Sequence, residues 1–261
     1  MAGAAALCGA SVLRSGAGLV RVATPAEVQP TVASFEPSYM TYPLPDDGQG
    51  MIRFEPSIPV LERLLEPADV VAVGPGLGQS EEIGALVRWL VTGTDRPLVI
   101  DADGLNMLAG MVGVLAGLKR PVILTPHPGE FARLVAGSVE SVQADRITSA
   151  VDLARQFESV TVVLKGAGTV VTNGQQVYVN TTGNPGMATG GAGDVLTGVI
   201  AALLAQKMPP FQAAQLGVYI HGLAGDIARD QNGMVGMIAG DIVDALPDAF
   251  YHSAQDPDIG F

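Results

Sequence analysis

The stretch Asn184–Gly198 reads NPGMATGGAGDVLTG, and it decides how the rest of the chain is read. Glycines crowd around a single acid, Asp194, and an apolar run, VLTGVIAALLA, follows at once. Successive backbone N–H groups in a glycine turn form a concave anion site, and the helix that follows adds positive partial charge at its N-terminus. Side chains at Gly190, Gly191 or Gly193 would block a phosphate there. Asp194 then stands in the first helical turn beside that anion. A carboxylate so placed is suited to take a proton from a hydroxyl that attacks the phosphate. The competing reading is an acid that only complements the helix dipole. Three glycines among the four residues before Asp194 favour catalysis.

Outward from this stretch the chain has a rhythm of apolar strand, loop and helix. ADVVAVGPGLGQS reads as a buried strand ending in a glycine turn, with Ser80 as N-cap and Glu81 and Glu82 in the first helical turn. PLVIDADGLNML and PVILTPHPGEFARLV repeat the plan. Helices are expected at 4–15, about 142–158, 192–206, 210–229 and 239–247, the last with Asp241 near its start. GLVRVAT, 18–24, reads as a strand, and the proline-rich residues 25–66 read as less regular. Asn173-Gly174 between two β-branched runs signals a type I′ hairpin. Strands alternating with helices predict a mostly parallel sheet covered on both faces, with the hairpin as an antiparallel segment near one edge. No repeat or linker divides residues 1–261, so one domain is expected.

Composition narrows the function classes. The 261 residues are 48 % apolar and 15 % charged, enough for a large core and too apolar for a disordered chain. A net charge of −12 without a basic run argues against nucleic acid as a partner. The longest apolar run, near Val195–Ala205, is about half of what a membrane span needs, and no signal peptide is read. The one cysteine, Cys8, lies in an apolar helical run and reads as packing; the expected compartment is reducing, the cytoplasm.

Ligands in such sheets bind beyond the C-terminal strand ends. Three further loops fall there. GPGLG, 74–78, is a glycine turn that either approaches a ligand or is turn chemistry alone. In DADGLN, 101–106, the acids and amide suit a metal, a sugar hydroxyl or a helix cap, the last an equal alternative for Asp103. In TPHPGE, 125–130, two prolines fix a loop carrying His127 and Glu130, and Glu130 suits either a first helical turn or a magnesium ion reached through water. No G-x-x-x-x-G-K-[ST] occurs, and GPGLGQS is not G-x-G-x-x-G, so P-loop and Rossmann readings lose their main support.

GPGLG, DADGLN, TPHPGE, LKGAGTVV and NPGMATGGAGDVLTGVIAALLAQ occur in that order. Together they resemble the ADP- or ATP-dependent NAD(P)H-hydrate dehydratases of the ribokinase-like superfamily, over nearly the whole chain. The resemblance implies a ribokinase-like three-layer α/β/α sandwich. It implies repair of the S-form hydrates NADHX and NADPHX: phosphorylation of the C6 hydroxyl from ADP or ATP with Mg2+, then loss of phosphate. Position by position, Asp194 resembles the base at the substrate hydroxyl. Gly190, Gly191, Ala192 and Gly193 resemble the anion hole and a nucleotide contact. Lys165, Gly166, Ala167, Gly168 and Thr169 resemble the stretch that binds the adenylate portion. Ala4, Gly76 and His127 resemble substrate contacts, joined by Asp103 and Asn106, and Glu130 matches the acid near magnesium. The family further implies a homo-oligomer, a tetramer. One departure stands out. The chain opens at MAGAAALCGA, where the family begins with a strand and a glycine-rich loop, so a missing first strand is expected. Some members carry a fused epimerase domain; none is expected within these 261 residues, which leaves open one before Met1.

Two rivals stay open. A ribokinase-like kinase for hydroxymethylpyrimidine, thiazole or pyridoxal would stop at the phosphate ester; the NPGMATGG lead-in and His127 argue against it. A non-catalytic nucleotide sensor would bind without turnover, against which Asp194 stands. The choice between ADP and ATP, and between NADHX and NADPHX, is not made by these residues.

Overall fold

The computed structural model of the chain describes residues 1–255. In chain order the elements are α1 (Ala2–Arg14), β1 (Arg21–Pro25), α2 (Gln29–Phe35), β2 (Met40–Leu44), α3 (Phe54–Leu65), β3 (Val71–Val73), α4 (Glu81–Gly93), β4 (Leu98–Ile100) and α5 (Ala102–Leu108). There follow β5 (Val122–Leu124), α6 (Pro128–Leu134), α7 (Val139–Ala144), α8 (Arg146–Arg155), β6 (Val160–Leu164), β7 (Val170–Thr172) and β8 (Val177–Val179). The chain then closes with α9 (Ala192–Ala205), α10 (Pro210–Asn232) and α11 (Ala239–Gln255).

Six strands form the central sheet in the order β3-β4-β5-β6-β7-β8. The first four run parallel; β7 and β8 close the edge antiparallel. Strands β4, β5 and β6 are buried at every position, as strands covered on both faces must be. Strand order here is chain order. Right-handed crossovers therefore place the connecting helices on one face. On that face Leu98, Ile100, Leu124 and Val162 pack with Ile83, Leu105, Phe131 and Leu153. The alternate residues Val99, Ile123 and Val163 point to the opposite face and pack with Val195, Val199, Ile220 and Ile242. The second face is thus roofed by α9, α10 and α11, and α1 packs on α9. This is the three-layer arrangement expected. It leaves the C-terminal ends of β3–β6 along one edge, with the start of α9 arriving there from the roof.

Helix α4 begins as its sequence implies: Ser80 accepts a bond from the Ile83 N–H at 3.2 Å, and Glu81 and Glu82 follow it. Other expectations need correction. The helix read over 142–158 is two helices. Asp145 breaks it and caps the second, accepting from the Thr148 N–H at 3.0 Å. Residues 25–66 hold two helices and a strand, with Pro59 tolerated inside α3. Strand β2 pairs in parallel with β1 as a separate two-stranded sheet. The hairpin is present, but its loop is Asn173–Gln176, and Asn173 is not among the residues with positive φ. A type I′ turn needs that conformation at both central positions. The Asn173 side chain instead accepts from the N–H groups of Gln175 and Gln176, an Asx-type turn that spends the asparagine locally. No helix among the described residues is long and apolar enough to cross a membrane.

Candidate active site

The start of α9 is bare backbone. Among the described residues, the N–H groups of Gly190, Gly191, Gly193 and Asp194 donate to no acceptor. The first N–H groups of any helix lack intrahelical partners, and here no side chain fills in. Gly191 adopts φ +94°, a left-handed conformation that turns the chain into the helix. A Cβ on Gly191 would come within 2.5 Å of Leu7 Cδ1 and 3.1 Å of Ala239 Cβ. That side chain would strike α1 and α11, not fill the anion site. A Cβ on Gly190, in contrast, would meet nothing within 4 Å. No internal packing demands glycine at 190, and the open space in front of it is what an approaching ligand needs.

Asp194 follows in the first turn of α9. Its carboxylate makes no hydrogen bond among the described residues. Burial is the main cause that raises its pKa, to about 6; the nearby Asp101 charge adds to the rise, and Lys165 opposes it. A carboxylate with free lone pairs and a proton affinity near neutrality is what general-base chemistry requires.

Four strand ends supply the surroundings. Asp101, just past β4, is 1 % exposed. It accepts from Lys165 Nζ at 2.5 Å and from Thr197 Oγ1 at 2.8 Å, so both its oxygens are engaged. The next residue, Ala102, has φ +46°, unusual for a residue with a Cβ, and this bend starts α5 at once after the acid. Lys165, at the end of β6, also lies 3.8 Å from Glu130 Oε2. Arg146 on α8 braces this strand end by donating to the Leu164 and Lys165 carbonyls. Glu130 and His127 form a capping box at the start of α6. His127 Nδ1 accepts from the Gly129 and Glu130 N–H groups, while Glu130 accepts from the His127 N–H at 2.8 Å. His127 Nε2 lies 3.3 Å from Glu130 Oε1. A polar chain thus runs from His127 through Glu130, Lys165 and Asp101 to Thr197 on α9.

A second cluster lies beside it. Asp103 caps no helix. It accepts from the Gly78 N–H at 2.8 Å, from Gln79 Nε2 at 3.0 Å and from Asn106 Nδ2 at 3.4 Å. Asn106 in turn accepts from Arg133. Gly74 serves packing: with φ +125°, a Cβ there would fall 1.7 Å from the Asp101 carbonyl oxygen. Gly76 lies against α1, where its Cβ would come 3.0 Å from Ala4 Cβ, so Ala4 and Gly76 do meet. In the KGAGT loop, Thr169 folds back to accept from the Gly166 N–H and donate to its carbonyl. Ala167 and Gly168 lie in the same turn, and Ala192 opens α9. Cys8 is a free, buried thiol whose pKa burial pushes up, in keeping with packing.

The sequence reading takes Asp101 only as one of the two acids of DADGLN, and it misses Thr197. Asp101 had a signal, as the acid ending the buried run PLVI. Thr197 sits three residues after Asp194, inside an apolar helix, where a threonine reads as filler.

The fold and the glycine-lined edge define a ribokinase-like protein. A solved ribokinase-like superfamily protein from Enterococcus faecalis superposes with a TM-score of 0.81 at 29 % identity, covering 96 % of this chain and 82 % of that one. The family model of the NAD(P)H-hydrate dehydratases matches residues 1–248, and the chain belongs to that family. It is similar to a bifunctional NAD(P)H-hydrate repair enzyme of Moorella thermoacetica, 46 % identical over 95 % of this chain and 46 % of that protein. The chain spans about half the length of the curated relatives of this kind that it matches. The ADP/ATP-dependent NAD(P)H-hydrate dehydratase of Bacillus subtilis, solved after co-crystallisation with ATP/Mg2+, superposes with a TM-score of 0.78 at 32 % identity, covering 97 % of this chain and 85 % of that one.

Proposed function

We propose that the chain dehydrates the S-form hydrates of NADH and NADPH, with ADP or ATP as phosphate donor. The observation that carries this reading is the start of α9: four N–H groups unpaired among the described residues, and with them a carboxylate that likewise makes no hydrogen bond there and has a raised pKa. The N–H groups of Gly190, Gly191 and Gly193 would hold the transferring phosphate, helped by the positive end of α9. Asp194 takes the proton of the substrate's C6 hydroxyl as that oxygen attacks the terminal phosphorus and the nucleotide leaves. Hydroxide leaves carbon poorly and phosphate leaves well. The C6–O bond then breaks with its electron pair going to phosphate, the ring nitrogen lone pair assists, and loss of the C5 proton restores the double bond. Ala4, Gly76, His127, Asp103 and Asn106 are read as the substrate side. Lys165–Thr169 are read as the nucleotide side, with Ala192 backing the anion hole.

A divalent cation fits this site. Asp101, Glu130 and Asp194 bring three carboxylates against two ammonium groups, Lys165 and the Met1 N-terminus, and a polyphosphate adds further negative charge. No three His, Cys, Asp or Glu side chains among the described residues form a metal cage. Mg2+ commonly binds through phosphates, waters and only one or two carboxylates, and Glu130 would reach it through water. When bound, Mg2+ supplies charge neutralisation on the phosphoryl group in transfer. We read residues 1–261 as one domain, acting as a homo-oligomer, a tetramer, in the cytoplasm.

The test is to incubate the protein with NADH hydrate, Mg2+ and either ADP or ATP. Recovery of the near-ultraviolet NADH absorbance is the expected result and names the donor. A stable phosphorylated product without NADH would mean a kinase instead. Nucleotide binding without any turnover would mean a sensor.

A further inference from the structure

His221 lies on α10, and its ring reaches the first turn of α9. Its Nε2 is 2.9 Å from the carbonyl oxygen of Ala192, across 29 residues of sequence. A carbonyl only accepts, so Nε2 carries the proton and donates. Ala192 is the first residue of α9, between Gly191 and Gly193. Glycines on both sides leave this peptide little intrinsic preference for one orientation. Within the turn the Ala192 N–H donates to the Thr189 carbonyl at 3.4 Å and the Val195 N–H to the Gly191 carbonyl at 3.1 Å, and Leu7 and Ala239 close against Gly191. Other residues of α10 clamp the lead-in to the turn. Asp226 accepts from the Gly183 N–H, and Asn184 donates to the Gly225 carbonyl.

We propose that His221 is a positioning residue: through the Ala192 carbonyl it fixes the peptide planes from which the N–H groups of the glycine turn project toward an anion. The inference rests on the reading of that turn as the phosphate site. A flexible glycine turn has a defined set of donor directions only when something outside it removes its freedom. Positioned donors bind an anion more tightly than donors that must be ordered on binding. The state of the ring agrees with the role. Burial pushes the His221 pKa down to about 4 and the Lys165 ammonium adds to that, while the Ala192 carbonyl works against them. The ring is therefore a neutral donor, with no charge of its own to bring to the site.

The test compares His221→Leu, which removes the donor, with His221→Gln, whose amide nitrogen can reach the same carbonyl. Binding of ADP with Mg2+ is measured by calorimetry for both variants and for the unaltered protein. His221→Leu is expected to weaken binding about tenfold or more, and His221→Gln to stay within about threefold of the unaltered protein. Hydrogen exchange at Gly193–Val195 without nucleotide should quicken in His221→Leu and not in His221→Gln. Equal binding by His221→Leu and the unaltered protein would overturn the inference. So would equal weakening in both variants, which would mean that ring shape matters and the donor does not. If His221→Leu does not fold, His221→Asn replaces it, since its shorter amide falls short of the carbonyl. An unaltered protein that bound neither ADP nor ATP would sink the nucleotide reading and this inference with it. One that bound, beside an unimpaired His221→Leu, would sink the inference alone.

Discussion

Two loops at the same sheet edge each present an aspartate, and their surroundings differ in every respect that matters. In DADGLN, Asp101 is buried, bonded to Lys165 and Thr197, and placed by a strained Ala102. In TGGAGD, Asp194 has no bonded partner among the described residues and stands beside four unused N–H groups. A carboxylate whose lone pairs are occupied is part of the scaffold. One whose lone pairs are free, in a partly dry place, is available to a substrate proton. The difference also has direction: the charge on Asp101 helps to raise the pKa of Asp194. The fixed acid thus adds to the rise in proton affinity that burial causes at Asp194.

The largest effect that would break this contrast lies at Asp194. Asp194→Asn should lower kcat by about 10²- to 10⁴-fold while circular dichroism and nucleotide affinity stay near normal. A near-normal rate would remove the base assignment. Stability should move the other way. The folded-state pKa of Asp194 is raised above its unfolded value, so its favourable contribution is complete below the unfolded pKa and is lost as pH rises through about 6. At neutral pH the ionised group opposes folding. Asp194→Asn should therefore melt higher than the unaltered protein at pH 8, with the gain disappearing at pH 4.

Next in size is a pair of glycines one residue apart. Gly191→Val meets Leu7 and Ala239 and must hold a left-handed backbone, which together cost about 3 kcal/mol, read as a lower Tm. Gly190→Val meets open space. It should fold normally and lose about tenfold or more in Mg·ADP affinity, because its methyls occupy the place of the phosphate. If both variants lost only stability, the turn would be a packing element and not a binding one.

The part of this contrast that was legible in the sequence is the part built from local chemistry. Glycines before an acid before an apolar run imply the turn, the helix start and the carboxylate in its first turn, and strand-loop-helix spacing places them at one sheet edge. What stayed hidden depends on partners far along the chain. Nothing near Asp101 announces that Lys165 and Thr197 will occupy it. Nothing near Gly191 says that its missing side chain leaves room for Leu7 of α1. Asp145 was hidden for a local reason, because a helix-capping acid inside a continuous helical pattern looks like an exposed surface residue. Asn173-Gly174 misled on turn type because its side chain had two backbone donors within reach.

A smaller effect is expected from Asp101→Asn. One partner of a buried pair is removed, but Lys165 keeps Glu130 nearby and some contact with water. The loss of stability should be about 3 kcal/mol, at the low end for broken buried pairs. The pH profile sharpens the comparison more. In the unaltered protein kcat/KM should fall on acidification with a limb near pH 6, the value for Asp194 in the free enzyme. Asp101→Asn removes a negative charge and frees Lys165 to act on Asp194, so both changes favour the ionised base. The limb should move to lower pH. No movement would mean that Asp101 does not act on Asp194, and movement to higher pH would reverse the assigned sign.

Asp103→Asn gives the smallest effect and separates charge from place. Asp103 also raises the Asp194 pKa, but it is the least of the contributors, after burial, Asp101, Lys165 and the Met1 N-terminus. Its carboxylate is committed to the Gly78 N–H, Gln79 and Asn106, the cluster proposed for the substrate side. An asparagine keeps one acceptor oxygen for Gly78 and loses bonds worth about 1 kcal/mol. The acid limb should shift downward by less than in Asp101→Asn, while KM for the hydrate rises and kcat holds. A shift as large as that of Asp101→Asn would mean that the field at Asp194 comes from the whole acidic edge. The buried acid at the end of β4 would then have no special part in setting the base.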